Sequence, residues 1–307
     1  MKHVLLVCHS QTGQLRQCAD SLLAPLRAAG DEVEVEVLEP QTEVEYPFPW
    51  PVPQFLDVMP ECVLEIPPAM KPMQPKRQKY DLVILAWQVW YLSPALPVTA
   101  FMQSDAAKVL KDTPVVALCA CRNMWHAGWL KLKKRLDAVG ARVIDHLVLI
   151  DAGPGWATFV TTPRWMWTGK KKGFGPFPDA GVSAEAIAAL SRPGERLLQA
   201  LREGRLQDSV LKGTQPHPLK VIRKQVLPEF LAPFVFGWWA RMIRGAGKVW
   251  KGFRLPLEIT FLCWLWCMVL SALPLLILTA VVVRVGFKGW FNGRVNLLAE
   301  PSGGEIA

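Results

Sequence analysis

Between Ile259 and Val283 the chain runs for 25 residues without a charged side chain. A helix rising about 1.5 Å per residue over that length exceeds the roughly 30 Å hydrocarbon core of a bilayer. A segment apolar on every face also has no wet side to present in a small soluble domain. The run predicts a transmembrane or re-entrant helix over 256–285, with Pro274 as a kink, and it splits the chain in two. Charge follows the same split. Residues 216–307 hold 11 Lys and Arg against 4 Asp and Glu, whereas the rest of the chain is close to neutral. In 213–255 the cations Arg241, Arg244, Lys248, Lys251 and Arg254 alternate with Phe234, Phe236, Trp238, Trp239, Trp250 and Phe253. That mixture suits a helix in the headgroup layer and anionic lipid as partner, and argues against nucleic acid. Five cations before the run and Arg284, Lys288 and Arg294 after it put the N-terminal part on the cytoplasmic side of the membrane, with 286–307 as a tail.

Residues 1–212 have a different rhythm. His3–Cys8, Tyr80–Trp87, Pro114–Ala120 and Arg142–Ile150 are short apolar runs, as strands buried on both faces should be. Val33, Val35 and Val37 alternate with Glu and read as an edge strand with one wet face. Helical spacing follows at Gln14–Ala29, near Pro97 and at His126–Val139, with two further pieces in 183–207 broken at Pro193-Gly194. Alternating strands and helices imply right-handed crossovers and a parallel sheet. The proline-dense stretch 40–78 cannot be a central strand, and it reads as an insertion wrapped over the domain with a helical turn or two near Phe55–Val63.

In such a sheet, ligands bind beyond the carboxyl ends of the strands. The first such turn, Ser10-Gln11-Thr12-Gly13-Gln14-Leu15, carries hydroxyls and a glycine ahead of a helix N-terminus, which favours an anion. It resembles the phosphate loop of flavodoxins, although Leu15 stands where a further hydroxyl is usual and Arg16 follows it. The resemblance implies an α/β, flavodoxin-like, doubly wound five-stranded parallel sheet of order 2-1-3-4-5, holding FMN and followed by a membrane-associated helical segment. The two loops expected to clasp the flavin ring are Gln88-Val89-Trp90-Tyr91-Leu92 and Cys121-Arg122-Asn123-Met124-Trp125. Trp90 and Trp125 are the stacking candidates, Gln88 and Asn123 suit the polar edge, and Arg122 offers a cation where negative charge develops on reduction.

The strings QVWYLSPALPVTAF, ACRNMW and TTPRWMWTGKK resemble a flavodoxin-like family associated with dialkylresorcinol biosynthesis. That resemblance implies a dehydrogenase or aromatase acting on a cyclohexanedione-type or quinone-like hydrophobic substrate, with a quinone or NAD(P)H open as redox partner. His126 and then Tyr91 are the expected proton acceptors. Trp165 and Trp167 either close over the flavin or dip into the lipid interface, and the sequence favours the second. A tethered electron carrier and a flavin-free adaptor are the alternative readings. The seven cysteines are expected to be reduced and mostly buried, and the five histidines show no metal-ligand spacing.

Overall fold

The computed structural model describes residues 1–214 and 219–306; the side chains of 270 and 272–285 lie outside it. His217, Pro274, Arg284 and most of the expected span therefore fall outside the described residues or side chains.

The chain opens β1 (Lys2–Cys8), α1 (Gln14–Ala28), β2 (Val33–Leu38), α2 (Val52–Asp57), α3 (Met59–Val63), β3 (Leu82–Trp87), β4 (Val89–Trp90), β5 (Ser93–Pro94) and α4 (Leu96–Met102). It continues β6 (Pro114–Cys121), α5 (His126–Ala138), β7 (Arg142–Ile150), α6 (Gly155–Thr168), α7 (Ala184–Ala188) and α8 (Ser191–Arg202). The last part is β8 (Lys220–Val221), α9 (Arg223–Val249), α10 (Arg254–Gly286), α11 (Lys288–Ala299) and β9 (Glu305–Ile306).

One five-stranded sheet runs β2-β1-β3-β6-β7, every neighbouring pair parallel. The expected order of 2-1-3-4-5 differs from this count because the two-residue strands β4 and β5, which the sequence reading did not foresee, form a hairpin of their own. Alternate residues of the central strands feed two cores. Val4, Leu6 and Ile84 meet α1 and α8 on one face, while Leu5, Val7, Leu85 and Trp87 meet α4 and α5 on the other. Strand order reverses between β1 and β3, which puts the switch point of this flavodoxin-like layout at Cys8 and Trp87.

Several expectations change locally. In edge strand β2 the buried charge is Glu36, which accepts the Tyr80 hydroxyl at 2.6 Å, and the exposed apolar residue is Val37. Pro193 and Gly194 do not break a helix; they lie in the first turns of α8. Of the cysteines, Cys263 and Cys267 are exposed on α10 and Cys121 is half-buried.

The largest departure concerns the C-terminal third. The residues after α10 are not a free tail: Phe291, Val295 and Leu298 of α11 are buried in the same core as β1 and β3. The Ser302 hydroxyl accepts the backbone N–H of His146 at 2.6 Å on the sheet's free edge, and β9 pairs with β8. At the start of α10, Arg254 forks onto Glu61 at 3.0 and 2.8 Å and reaches Asp57 at 2.6 Å, tying the helix to α2 and α3 of the proline-rich insertion. Both ends of α10 are therefore held by the α/β body.

Candidate functional site

A cavity of about 650 Å³ lies beyond the carboxyl ends of β1, β3 and β6, at the switch point. Three loops set its floor. The loop after β1 turns into α1 through Gly13, whose φ of 80° is a left-handed value that glycine adopts freely. The Ser10 oxygen accepts the Arg16 N–H at 3.2 Å and the Thr12 oxygen accepts that of Gln14 at 3.4 Å, so the two hydroxyls cap α1 while keeping their own protons for donation. The Gln14 amide is engaged at both ends by the backbone of Val182, and Leu15 is fully buried on the wall. Gln11, Thr12, Gln14 and Leu15 line the cavity; Ser10 and Gly13 stand behind them.

The second loop is the β4–β5 hairpin. Val89 pairs with Pro94 and Trp90 with Ser93, leaving Tyr91 and Leu92 as a two-residue turn with φ of 47° and 59°. Two consecutive positive φ values define a type I′ turn, normally built from Asn and Gly. The third loop, after β6, has Met124 at φ 54°. Three of the five non-glycine residues with positive φ, among the described residues, thus lie in the two expected clamps, where strain at a functional site is typically found. The first two loops are bonded directly, since the Gln11 N–H donates to the Gln88 side chain at 3.1 Å.

Gln88, Val89, Trp90, Tyr91, Leu92, Cys121, Arg122, Asn123 and Met124 all border the cavity. Trp125 does not: it is fully buried in the core against His126 and His146. His126 also lies outside the cavity, almost wholly buried, with Nδ1 3.1 Å from Glu229 Oε1 but not aligned for a hydrogen bond. The other oxygen of Glu229 accepts the His126 N–H at 2.6 Å. Tyr91 borders the cavity, yet its hydroxyl donates to the Phe55 carbonyl at 2.6 Å, and burial holds its pKa far above the phenolic range. Neither expected proton acceptor is placed for the role: one is turned into the core and the other is committed to a backbone carbonyl.

Charge at the sheet edge comes from Arg122 and Asp151. Arg122 lies over the Phe159 ring at 4.2 Å; burial lowers its pKa, and Asp151 opposes that shift. Asp151, at the end of β7, accepts the N–H groups of Gly153 at 2.8 Å and Gly181 at 2.6 Å, and burial raises its pKa against those bonds.

Much of the wall comes from segments the sequence reading left out of the site. Trp50 and Phe55 of the insertion contribute, Trp50 packing 4.8 Å from Trp90. Helix α6 contributes Phe159, Thr162, Trp165 and Trp167, so these tryptophans face the cavity and the preference for a lipid-facing role is reversed. Pro228, Leu231, Ala232, Val235 and Phe236 of α9 and Leu262, Leu265, Met268 and Val269 of α10 close the top. A readable signal was present in these helices, because 228, 231, 232, 235 and 236 repeat with one-face helical spacing.

Five cavity-lining side chains carry buried polar atoms with no partner: Gln11 Oε1, Asn123 Oδ1, Thr162 Oγ1, Trp50 Nε1 and Trp167 Nε1. Orphaned polar atoms at one cleft are the mark of a site awaiting a ligand with both donors and acceptors. They suit the heteroatom-rich edge of a flavin, and the aromatic walls suit its faces.

No protein-family model matches the chain, and no curated protein matches it. Among solved structures, a flavoprotein from Lactobacillus acidophilus in complex with FMN aligns at 18% identity over 48% of this chain and 93% of its own, with a TM-score of 0.38. A flavodoxin from the domain Archaea aligns at 12% identity over 66% and 99%, TM-score 0.37. An azoreductase from Bacillus anthracis aligns at 12% identity over 64% and 99%, TM-score 0.35.

Proposed function

We propose that this chain is a membrane-associated, FMN-dependent oxidoreductase acting on a hydrophobic cyclic substrate, quinone-like or a cyclohexanedione. The observation that carries the reading is the single cleft at the β1/β3 switch point, where unpaired polar atoms meet aromatic walls. Thr12 and the first turn of α1 would hold the phosphate end, Gln11, Gln88 and Asn123 the polar ring edge, and Trp90 and Trp165 the faces. Bound there, FMN supplies a two-electron hydride carrier. Arg122, held over Phe159, provides the cation for the charge that builds on the reduced ring. Asp151, with its pKa raised by burial, is the carboxyl best placed to exchange a proton at the cavity edge, replacing His126 and Tyr91.

The size of the cleft favours an enzyme over an electron carrier. A broad part of its wall is apolar and comes from α9 and α10, away from the polar sheet edge, which leaves room for a second apolar molecule. Purification in mild detergent followed by flavin extraction tests the cofactor: a yellow protein releasing one FMN per chain is expected, and a colourless protein that takes up no FMN sinks the reading. Anaerobic mixing of the reduced protein with a lipophilic quinone then separates enzyme from carrier, because only an enzyme shows saturable turnover.

A further inference from the structure

We infer that the α9–α10 pair is a monotopic membrane-docking platform: the protein lies on one leaflet of an anionic bilayer, both chain ends stay on the same side, and the cavity's mouth opens into the lipid. The inference rests on the proposed function only for what the cavity carries.

The first ground is geometric. Helix α10 has 33 residues, a rod of about 50 Å. Its first residue is locked to Asp57 and Glu61, and α11, beginning two residues past its end, is buried in the α/β core. Ring contacts show that α9 and α10 run antiparallel. Early in α9, Phe230 meets Trp290 at 5.3 Å, and later in α9, Phe236 meets Phe261 at 5.2 Å. A helix pinned at both ends to one body, with its partner lying along it, cannot carry the chain through a bilayer to the far side.

The second ground is the character of the outer face. The stretch Lys251–Val269 has a mean hydropathy of 1.3 and is only 11% buried, so it is not the core helix of a soluble domain. Phe234 and Trp238 of α9 are 66% and 56% exposed, and Ile259, Cys263, Trp266 and Cys267 form an exposed helical stripe on α10. Arg241, Lys248 and Lys251 beside this face make no ion pair among the described residues. A broad apolar face with unpaired cations next to it complements acyl chains under anionic headgroups, and a protein partner would not need that pairing.

The third ground links the platform to the site. Leu231, Val235 and Trp266 line the cavity and are also 40%, 39% and 37% exposed on the outside. They are the residues where the apolar interior and the apolar exterior meet. A substrate dissolved in the leaflet would enter between them without crossing water.

Two measurements on the full-length protein test this. Tags are added before Met1 and after Ala307, and protease access to each is read in right-side-out and in inverted membrane vesicles from expressing cells. Both tags are expected to be cleaved, or both protected, in each preparation; tags that behave oppositely overturn the one-leaflet placement. Separately, purified protein is labelled with a charged, water-soluble maleimide, with a Cys263→Ser/Cys267→Ser variant giving the background from other thiols. Vesicles of phosphatidylcholine and phosphatidylglycerol are expected to slow labelling of Cys263 and Cys267 roughly tenfold or more, and phosphatidylcholine alone to slow it less. An unchanged rate overturns the immersed face, and so does equal slowing by a soluble protein partner or by dimerisation without lipid. FMN content is read on the same preparations, so absence of flavin would reject the proposed function while leaving the docking geometry standing.

Discussion

At the scale of single residues, the two groups that set the chemistry are Arg122 and His9. Arg122 is stacked on Phe159 and faces the polar end of the cleft, so Arg122→Gln removes a cation and keeps most of the volume. A charge-assisted hydrogen bond is worth about 1.5–3 kcal/mol. Fluorescence titration of the apoprotein with FMN should therefore show binding weakened roughly 10- to 100-fold by this substitution. His9 ends the strand before the phosphate turn, its ring 6.0 Å from Trp90, and burial lowers its pKa to about 4. The unfolded chain, titrating near 6.5, then binds more protons than the folded one. Stability is complete above that value and declines as pH falls towards 4, by at most ~3 kcal/mol. Urea midpoints measured from pH 7 to 4 should fall, and His9→Gln should flatten the curve. Legibility at this scale was uneven. The sequence located every clamp loop, because apolar runs and turns announce strand ends. It could not say which way His126, Tyr91 or Trp125 point, because a side chain's direction at a strand end depends on the hairpin and on Glu229, 103 residues further on.

At the scale of elements, the joints matter more than the elements. Helix α5 has no capping side chain of its own at its N-terminus. Glu229 of α9 supplies one, accepting the N–H groups of His126 at 2.6 Å and Ala127 at 3.4 Å. Glu229→Ala strips those donors and leaves His126 beside a void. Chemical denaturation should report a loss of about 2–4 kcal/mol, and Glu229→Gln, which keeps an acceptor, should lose less. The joint between α1 and α8 depends on Gly194. A Cβ there would sit 2.2 Å from the Leu22 carbonyl oxygen, so Gly194→Ala must push the two helices apart. An overpacked core contact costs roughly 1–3 kcal/mol, and a thermal melt of the variant should show a correspondingly lower midpoint. Pro193-Gly194 reads in sequence as a break because glycine and proline are depleted inside helices. In the fold, proline tolerates the first turn and glycine gives the close approach. Local propensity cannot distinguish these uses, because the partner backbone at Leu22 is remote in the chain.

At the scale of the molecule, the apolar third is part of the α/β body. Composition divides the chain near residue 215, and that division predicts a self-sufficient flavin domain with an anchor hung from it. The packing does not follow the division. Val221, Val226, Phe291, Val295 and Leu298 belong to the core that also holds Leu5, Leu85 and Trp87, and α9 and α10 close the cleft the sheet edge opens. The boundary was legible because hydropathy and charge are properties of sequence windows, whereas the return of α11 to the core is a long-range contact with no local signature. Removing residues 213–307 would expose the core face those five side chains cover. Burying each is worth about 1.5–3 kcal/mol, so the loss approaches the roughly 5–15 kcal/mol that holds a typical domain together. A 1–212 fragment is therefore expected to be insoluble or to lack a cooperative thermal transition, and to retain no FMN. A fragment that melts cooperatively and binds FMN as tightly as the full chain would show that the C-terminal helices only decorate an independent domain.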